Sequence, residues 1–413
     1  MSDRSSASSA RFVRALIAAG PVAVAALGPL LPLLIVFAGT LPPTAPQVNR
    51  SFAMGLAWVM GLAVVCSVFG LAAAGKPRFP RPLYVPLAGL VVSQLIALTF
   101  AVDPRAGMFG VGCTLAGIIV MFAAVEALSD ARVRRIFLAF YFASAIGATV
   151  FAAVISLMKL PPAMFAYEHG RASGTFLQPN ELAGYLLFVI PLGCAQIAAP
   201  RWLRSLGLLA AATGAVGLLL SVSRAAIVSL AAGFTVFVRR LGLRALVAYL
   251  LVAVLVLGAL VTVFRNVAHD PSENASRIAV WEGSLRMAQR FALTGVGPFN
   301  FHLVYPSFRP PSTDVDELHA HDLPLHILIE DGVLGLASLT WFIVAAVRQA
   351  ARIGRGIPSY DRERSLLFWA LAAAFAATAL QNIVDVVTTF LLVVSWPMLG
   401  LLLALEQPQE ARS

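Results

Sequence analysis

"SLGLLAAATGAVGLLLSVSRAAIVSLAAGFTVFV", residues 205–238, holds two apolar runs joined by a short polar apex, SVSR. Allowing about four residues for the turn leaves about 15 per helix. That is about 22 Å at a rise of 1.5 Å per residue, against a bilayer core of about 30 Å. The apex is therefore expected to sit below the outer surface, with Arg224 a cation at membrane depth. Such a cation faces a water-filled cavity or a paired anion unless it snorkels, and an anion site is the favoured reading.

The same pattern runs along the chain, which has 413 residues, 59% of them hydrophobic and 12% charged, with a mean hydropathy of +0.85. A soluble globular domain is excluded, because a spanning helix needs about 20 apolar residues and such stretches recur throughout. Read by length, the spans fall near 16–39, 51–74, 84–101, 107–128, 136–158, 179–199, 205–220, 225–238, 245–264, 325–347, 366–384 and 389–405. The expected fold is all-α and polytopic, about twelve transmembrane helices with both termini on one side. The first run has no small-residue cleavage pattern and reads as a span, not as a signal peptide. Cys66, Cys113 and Cys194 all lie in apolar stretches, which provides neither a disulfide framework nor a CxxC metal knuckle.

The net charge of +10 falls largely in short connections, where basic residues set topology; nucleic acid is not the expected partner. Arg50, Arg105, Lys159, Arg171, Arg224, Arg265, Arg277, Arg286, Arg290 and Arg309 lie on one side, and the other twenty of the 30 basic residues lie with the termini. Bias in short loops marks that richer side as cytoplasmic. All six histidines, His169, His269, His302, His319, His321 and His326, then fall outside. The cytoplasmic connections carry no Walker-type phosphate loop and no GxGxxG, so no nucleotide cradle is expected there.

We read residues 1–413 as one membrane domain with two long outer connections, 265–323 and 159–180. In the first, "SRIAVWEGSLRMAQRFA" places Ile278, Trp281, Leu285 and Met287 or Ala288 near helical spacing. This predicts a helix on the membrane surface, with Arg286 and Arg290 towards water and Trp281 as an interfacial anchor. "LTGVGPFNF", 293–301, is a tight turn, and without a strand-then-helix context a structural role is favoured over phosphate cradling. In the second connection, Arg171 is expected to be solvated and Asn180 to cap the helix that follows.

"ELHAHDLPLHILIEDGVLGL", 317–336, opens a helix with Asp322 as cap and Pro324 in the first turn. His321 is thereby set at a helix N-terminus, a favourable place for phosphate. His326 and Glu330, four apart, share a face. A metal site is not the favoured reading of HxHxxxxH, since i and i+2 do not face each other on a helix and no acid is forced nearby. Arg171, Arg224, Arg265, Arg277 and His321 are expected to converge on one outer cavity. Arginine forks suit phosphate oxygens, and histidine can take a proton from a hydroxyl. Outside the membrane there is no nucleotide pool, so a glycosyl transfer there needs a pre-activated lipid donor such as a polyprenyl diphosphate.

From about 165 to 340 the chain resembles the O-antigen ligases and the related O-antigen polymerases. The resemblance rests on "RASGTFLQPNELAGYL", "SVSRAAI", "SRIAVWEGSLRMAQRFALTGVGPFNF" and "HAHDLPLHILIEDGVLGL". It implies a GT-C-like fold in the bacterial inner membrane and transfer of glycan from undecaprenyl diphosphate in the periplasm, without metal or cofactor. The ligase uses lipid A-core as acceptor, the polymerase another lipid-linked repeat unit; the compact outer region and moderate length favour the ligase. A lipid-linked glycan transporter is the other class weighed, but its ionisable groups are expected near the bilayer midplane.

Carried over by motif, the resemblance makes Arg224, Arg277 and His321 the expected catalytic set. Arg171, Arg265, Asn180, His319 and Trp281 are the expected substrate-binding residues. Glu330, Gly332 and Gly335 match the E-x-G-x-x-G tail. Asp322 stands where the family commonly has Asn, and Pro298 and Phe299 stand where smaller residues are usual.

Overall fold

The computed structural model describes residues 2–30, 45–74, 79–158, 171–176, 178–266, 271–311, 317–386 and 392–406. Expectations for residues 159–170 and 267–270, which include Lys159, His169 and His269, lie outside the described residues, as does the side chain of Arg265. Most of the described residues are helical, and no strand occurs among them. Seven helical segments are long and apolar enough to cross a membrane: Arg81–Leu98, Pro104–Leu128, Ala131–Met158, Pro179–Ala198, Arg201–Leu220, Leu323–Gly356 and Arg362–Gln381. Five shorter apolar helices, Ala15–Leu30, Val59–Ala73, Arg224–Val238, Leu243–Ala259 and Val394–Ala404, lie over the remaining predicted segments.

Pro179–Ala195 is apolar on every face, which suits a helix surrounded by others. It forms the centre of the bundle, packing against Arg201–Leu220 and Arg362–Gln381, with Tyr185, Leu186 and Phe188 fully buried. Gly193 lies against the backbone of Gly207, so two small residues let the helices approach closely.

The hairpin differs from its sequence reading. Its first helix, Arg201–Leu220, begins directly after Pro200 and has 20 residues, about 30 Å at 1.5 Å per residue, enough to cross the core. Only Arg224–Val238, with 15 residues, is short. The expected shortfall therefore belongs to the second helix alone.

The described parts of the connection before Leu323–Gly356 are held by an apolar core of their own. Val280, Met287 and Ala288 of helix Pro271–Phe291 meet Val296, Phe301, Val304, Tyr305, Ala320 and Ile329. Ile278 and Leu285 face outward from that helix, and Arg286 pairs with Glu282.

Leu323–Gly356 is broken at Gly332, where φ is 69° and ψ −174°. The sequence pattern did not foretell this break. Its freed backbone groups are taken up by the 292–300 turn: the N–H of Val296 donates to Ile329 O at 2.9 Å, that of Gly297 to Glu330 O at 3.0 Å, and that of Val333 to Ala292 O at 2.6 Å. The Glu330 carboxylate accepts the N–H groups of Phe299 and Phe301 at 2.9 and 3.0 Å. The glycine turn thus cradles a carboxyl group, and that group is a side chain of the same chain.

A Cβ at Gly332 would meet Leu293 O at 3.0 Å and Ala292 O at 3.2 Å, in a backbone region L residues rarely adopt. Gly332→Ala should therefore lower stability by about 1–3 kcal/mol, read as an earlier thermal transition in detergent. Gly147→Ala, with nothing within 4 Å, should leave that transition unchanged or raise it.

Candidate functional site

The histidine loop is fixed at its end by the helix it precedes. Asp322 caps Leu323–Gly356, its Oδ1 accepting the Leu325 N–H at 2.7 Å as the sequence predicts. The Leu323 N–H donates to Asn382 O at 2.9 Å, tying the loop to the turn after helix Arg362–Gln381. His321 has φ 52°, a left-handed conformation that costs a non-glycine residue about 1–3 kcal/mol.

Its bonds hold it there. Nδ1 lies 3.1 Å from Asp385 Oδ1 and Nε2 3.3 Å from Glu317 Oε2. Its N–H donates to His319 Nδ1 at 3.3 Å, and its carbonyl accepts from Trp281 Nε1 at 3.4 Å. Trp281 is half-buried and braces the loop, a more specific role than the interfacial anchor expected of it.

From Asp385 the bonding continues to the hairpin apex. Asn180 Nδ2 donates to Asp385 Oδ2 at 2.8 Å, and Asn180 Oδ1 accepts from Ser223 Oγ at 2.8 Å and from Arg171 Nη2 at 3.1 Å. Arg171 Nε also donates to Ser221 O at 3.1 Å. Two expectations are corrected. Asn180 is not the helix cap, because Pro179 holds the first helical position and Gln178 the cap, which frees the amide to bridge. Arg171 is not solvated but 8% exposed, its guanidinium bonded to the hairpin apex.

Arg277 donates from Nη1 to Val384 O at 3.4 Å, next to Asp385. Arg224 opens its helix directly after Ser223 and its side chain is exposed. His319 lies against His321 with ring centroids 4.3 Å apart. His326 and Glu330 do share a face, with Nε2 and Oε2 3.5 Å apart. The structure thus links His321, His319, Trp281, Asn180 and Arg171 in one bonded group, sets Arg277 beside it, and places Arg224 next in sequence to one of its members.

The electrostatics follow from this geometry. Burial pulls the His321 pKa down, but hydrogen bonds and charge from Asp385 and Glu317 outweigh it and push the value up to about 9. His319 moves the other way, to about 3, through burial and then the neighbouring His321 charge. Burial would raise Asp385, yet the His321 hydrogen bond and the charges of His321, His319 and Arg277 hold it well below the usual carboxylate range. At neutral pH the site holds an imidazolium between two carboxylates, beside a neutral imidazole.

His319, His321 and Asp385 offer ligand atoms within 4.8 Å of one another, so an acid does reach the histidines, contrary to the sequence reading. His319 Nδ1 accepts the His321 N–H, which puts its ring proton on Nε2, the nitrogen 4.0 Å from Asp385.

Residues 209–340 match the family described as O-antigen ligase. This match supports membership of the O-antigen ligase/polymerase superfamily. No curated protein matches the chain. The O-antigen ligase match includes Arg224, Arg277, Trp281, Glu317, His319 and His321, whereas Arg171, Asn180 and Asp385 lie outside it and enter the site through the fold.

Asp385 and Glu317 were not singled out by sequence. The available signal for Asp385 was an acid at the end of an apolar segment, a position that is functional by default in a membrane protein. Glu317, four residues before His321, looked like any loop acid.

A pKa raised from 6.5 to about 9 means that His321 contributes stability that is fully present below about pH 6.5 and is lost as pH rises through about 9. The thermal transition of the purified protein should fall over that interval. In Asp385→Asn the transition should start lower and lose much of that slope; an unchanged slope would show that the pair does not form.

Proposed function

We propose that this chain is an O-antigen ligase of the bacterial inner membrane. In this reading it is a single GT-C-like domain of twelve spans with both termini cytoplasmic and the His321 site in the periplasm. It transfers O-antigen glycan from undecaprenyl diphosphate to lipid A-core, without metal, in lipopolysaccharide biosynthesis. The family match supports a ligase- or polymerase-type activity. The observation that carries the reading is the bonded group from the hairpin apex to His321, with Arg277 and Arg224 alongside.

Arg224 and Arg277 grip the diphosphate. A guanidinium has five N–H donors in a planar fork, so the bond from Arg277 Nη1 to Val384 leaves donors for phosphate oxygens. Arg171, buried and bonded to Ser221 and Asn180, holds the apex and Asn180 in place. Arg265 lies in helix Leu243–Asn266 at the outer end and is assigned a supporting contact with donor.

The acceptor hydroxyl oxygen attacks the anomeric carbon as the bond from that carbon to the diphosphate oxygen breaks. Once His321 has given up the Nε2 proton it holds at rest, Nε2 takes the hydroxyl proton, and Asp385 stabilises the imidazolium that forms again while fixing the ring through Nδ1. The electron pair of the broken bond leaves on the diphosphate, whose charge the arginines stabilise, so no general acid is required. The anomeric centre is inverted in this single displacement.

The test reconstitutes the purified protein with undecaprenyl-diphosphate glycan and lipid A-core in excess EDTA. The lipid A-core band should shift in one step. His321→Ala should reduce the rate about 10²–10⁴-fold, and Arg277→Ala or Arg224→Ala about 10²–10³-fold. Lengthening of the lipid-linked glycan with an unmoved core band would assign a polymerase. No change in either lipid, with fold and donor verified, would favour a transporter.

A further inference from the structure

The imidazole that should act as a base is closed on both sides. Nδ1 faces Asp385, which is 4% exposed and tied to Asn180 and the Val386 N–H, so this side is fixed. Nε2, the nitrogen left to meet an acceptor, faces Glu317, whose side chain is 20% exposed against 10% for His321. The carboxylate of Glu317 thus stands where an incoming hydroxyl must come.

We propose that Glu317 guards the reactive nitrogen of His321, holding it protonated in the resting site and giving way when an acceptor hydroxyl arrives. The inference rests on His321 being the proton acceptor. Opening of the contact passes the Nε2 proton to Glu317, which turns outward and releases it to water. Nε2, now neutral, takes the proton of the acceptor hydroxyl as the new C–O bond forms and the bond to the diphosphate breaks. Proton count balances, one leaving through Glu317 before the transfer and one arriving from the acceptor during it. A site regulated in this way withholds its base until an acceptor is present.

Among the described residues, the charged and titratable groups around His321 are few. Glu317 and His319 come from its own loop, Asp385 from the turn after Arg362–Gln381, Arg277 from Pro271–Phe291, and Asp322 and His326 from the helix that follows. Asp385 and Glu317 are the two that bond the ring and raise its pKa. Removing the Glu317 charge leaves Asp385 in place, so the ring keeps its orientation while losing one source of its proton affinity.

The experiment compares wild type, Glu317→Gln, Glu317→Asp and His321→Ala, each as the full chain in liposomes, with initial rates measured against lipid A-core concentration from about pH 6 to about pH 10. In Glu317→Gln the acidic limb of kcat/KM should move down by about one to three pH units, and Glu317→Asp should restore it towards wild type. Carbethoxylation, which takes place on neutral imidazole only, supplies a readout independent of substrate: at neutral pH it should label His321 faster in Glu317→Gln than in wild type.

An unmoved limb with unchanged labelling would overturn the proposal. So would loss of turnover at every pH in a folded Glu317→Gln, since that would make Glu317 itself the base. Wild-type rates in His321→Ala would sink the underlying catalytic reading, whereas the labelling comparison would still report whether Glu317 covers Nε2.

Discussion

His321 is placed in a left-handed backbone and in a charged state, both unfavourable in a pocket nearly closed to water, and Asp385 is what makes both tolerable. A buried ion pair holds only where its remaining lone pairs and protons are met. Here Asp385 is met by Asn180 and Val386, and His321 by Glu317, His319 and Trp281. Asn180 in turn is held by Arg171 and Ser223. Three segments that are distant in sequence are locked together by one carboxylate.

The broken helix serves this arrangement from below. With its backbone interrupted at Gly332, the first part of Leu323–Gly356 is anchored by the 292–300 turn as well as by its own helix. Glu330 accepts two N–H groups of that turn and so fixes helix Pro271–Phe291, which ends just before it, relative to the histidine loop. Arg277 and Trp281 ride on that helix. Their reach to Val384 and His321 depends on a staple that is not part of the site itself.

Much of the framework was legible in the chain. The apolar lengths announced helices of membrane-crossing size, Asp322 and Pro324 announced a helix start, and the spacing of Ile278, Trp281 and Leu285 announced the helix of the long connection. Arg277 and His321 were legible through motif resemblance. Arg171 was misjudged because exposure of a loop residue depends on what the rest of the chain lays over it. Asn180 was misjudged because Pro179 shifted the cap by two positions.

By itself, the sequence determined those features whose causes lie within a turn or two: apolar length, helix start, amphipathic face. Tertiary structure alone decided the protonation of His321, since Asp385 is 64 residues away, and the placement of Asp385, since Asn180 is 205 residues from it. Charge and burial act through space and fall off over a few ångströms, so a residue's chemistry is set by neighbours that its local sequence does not contain.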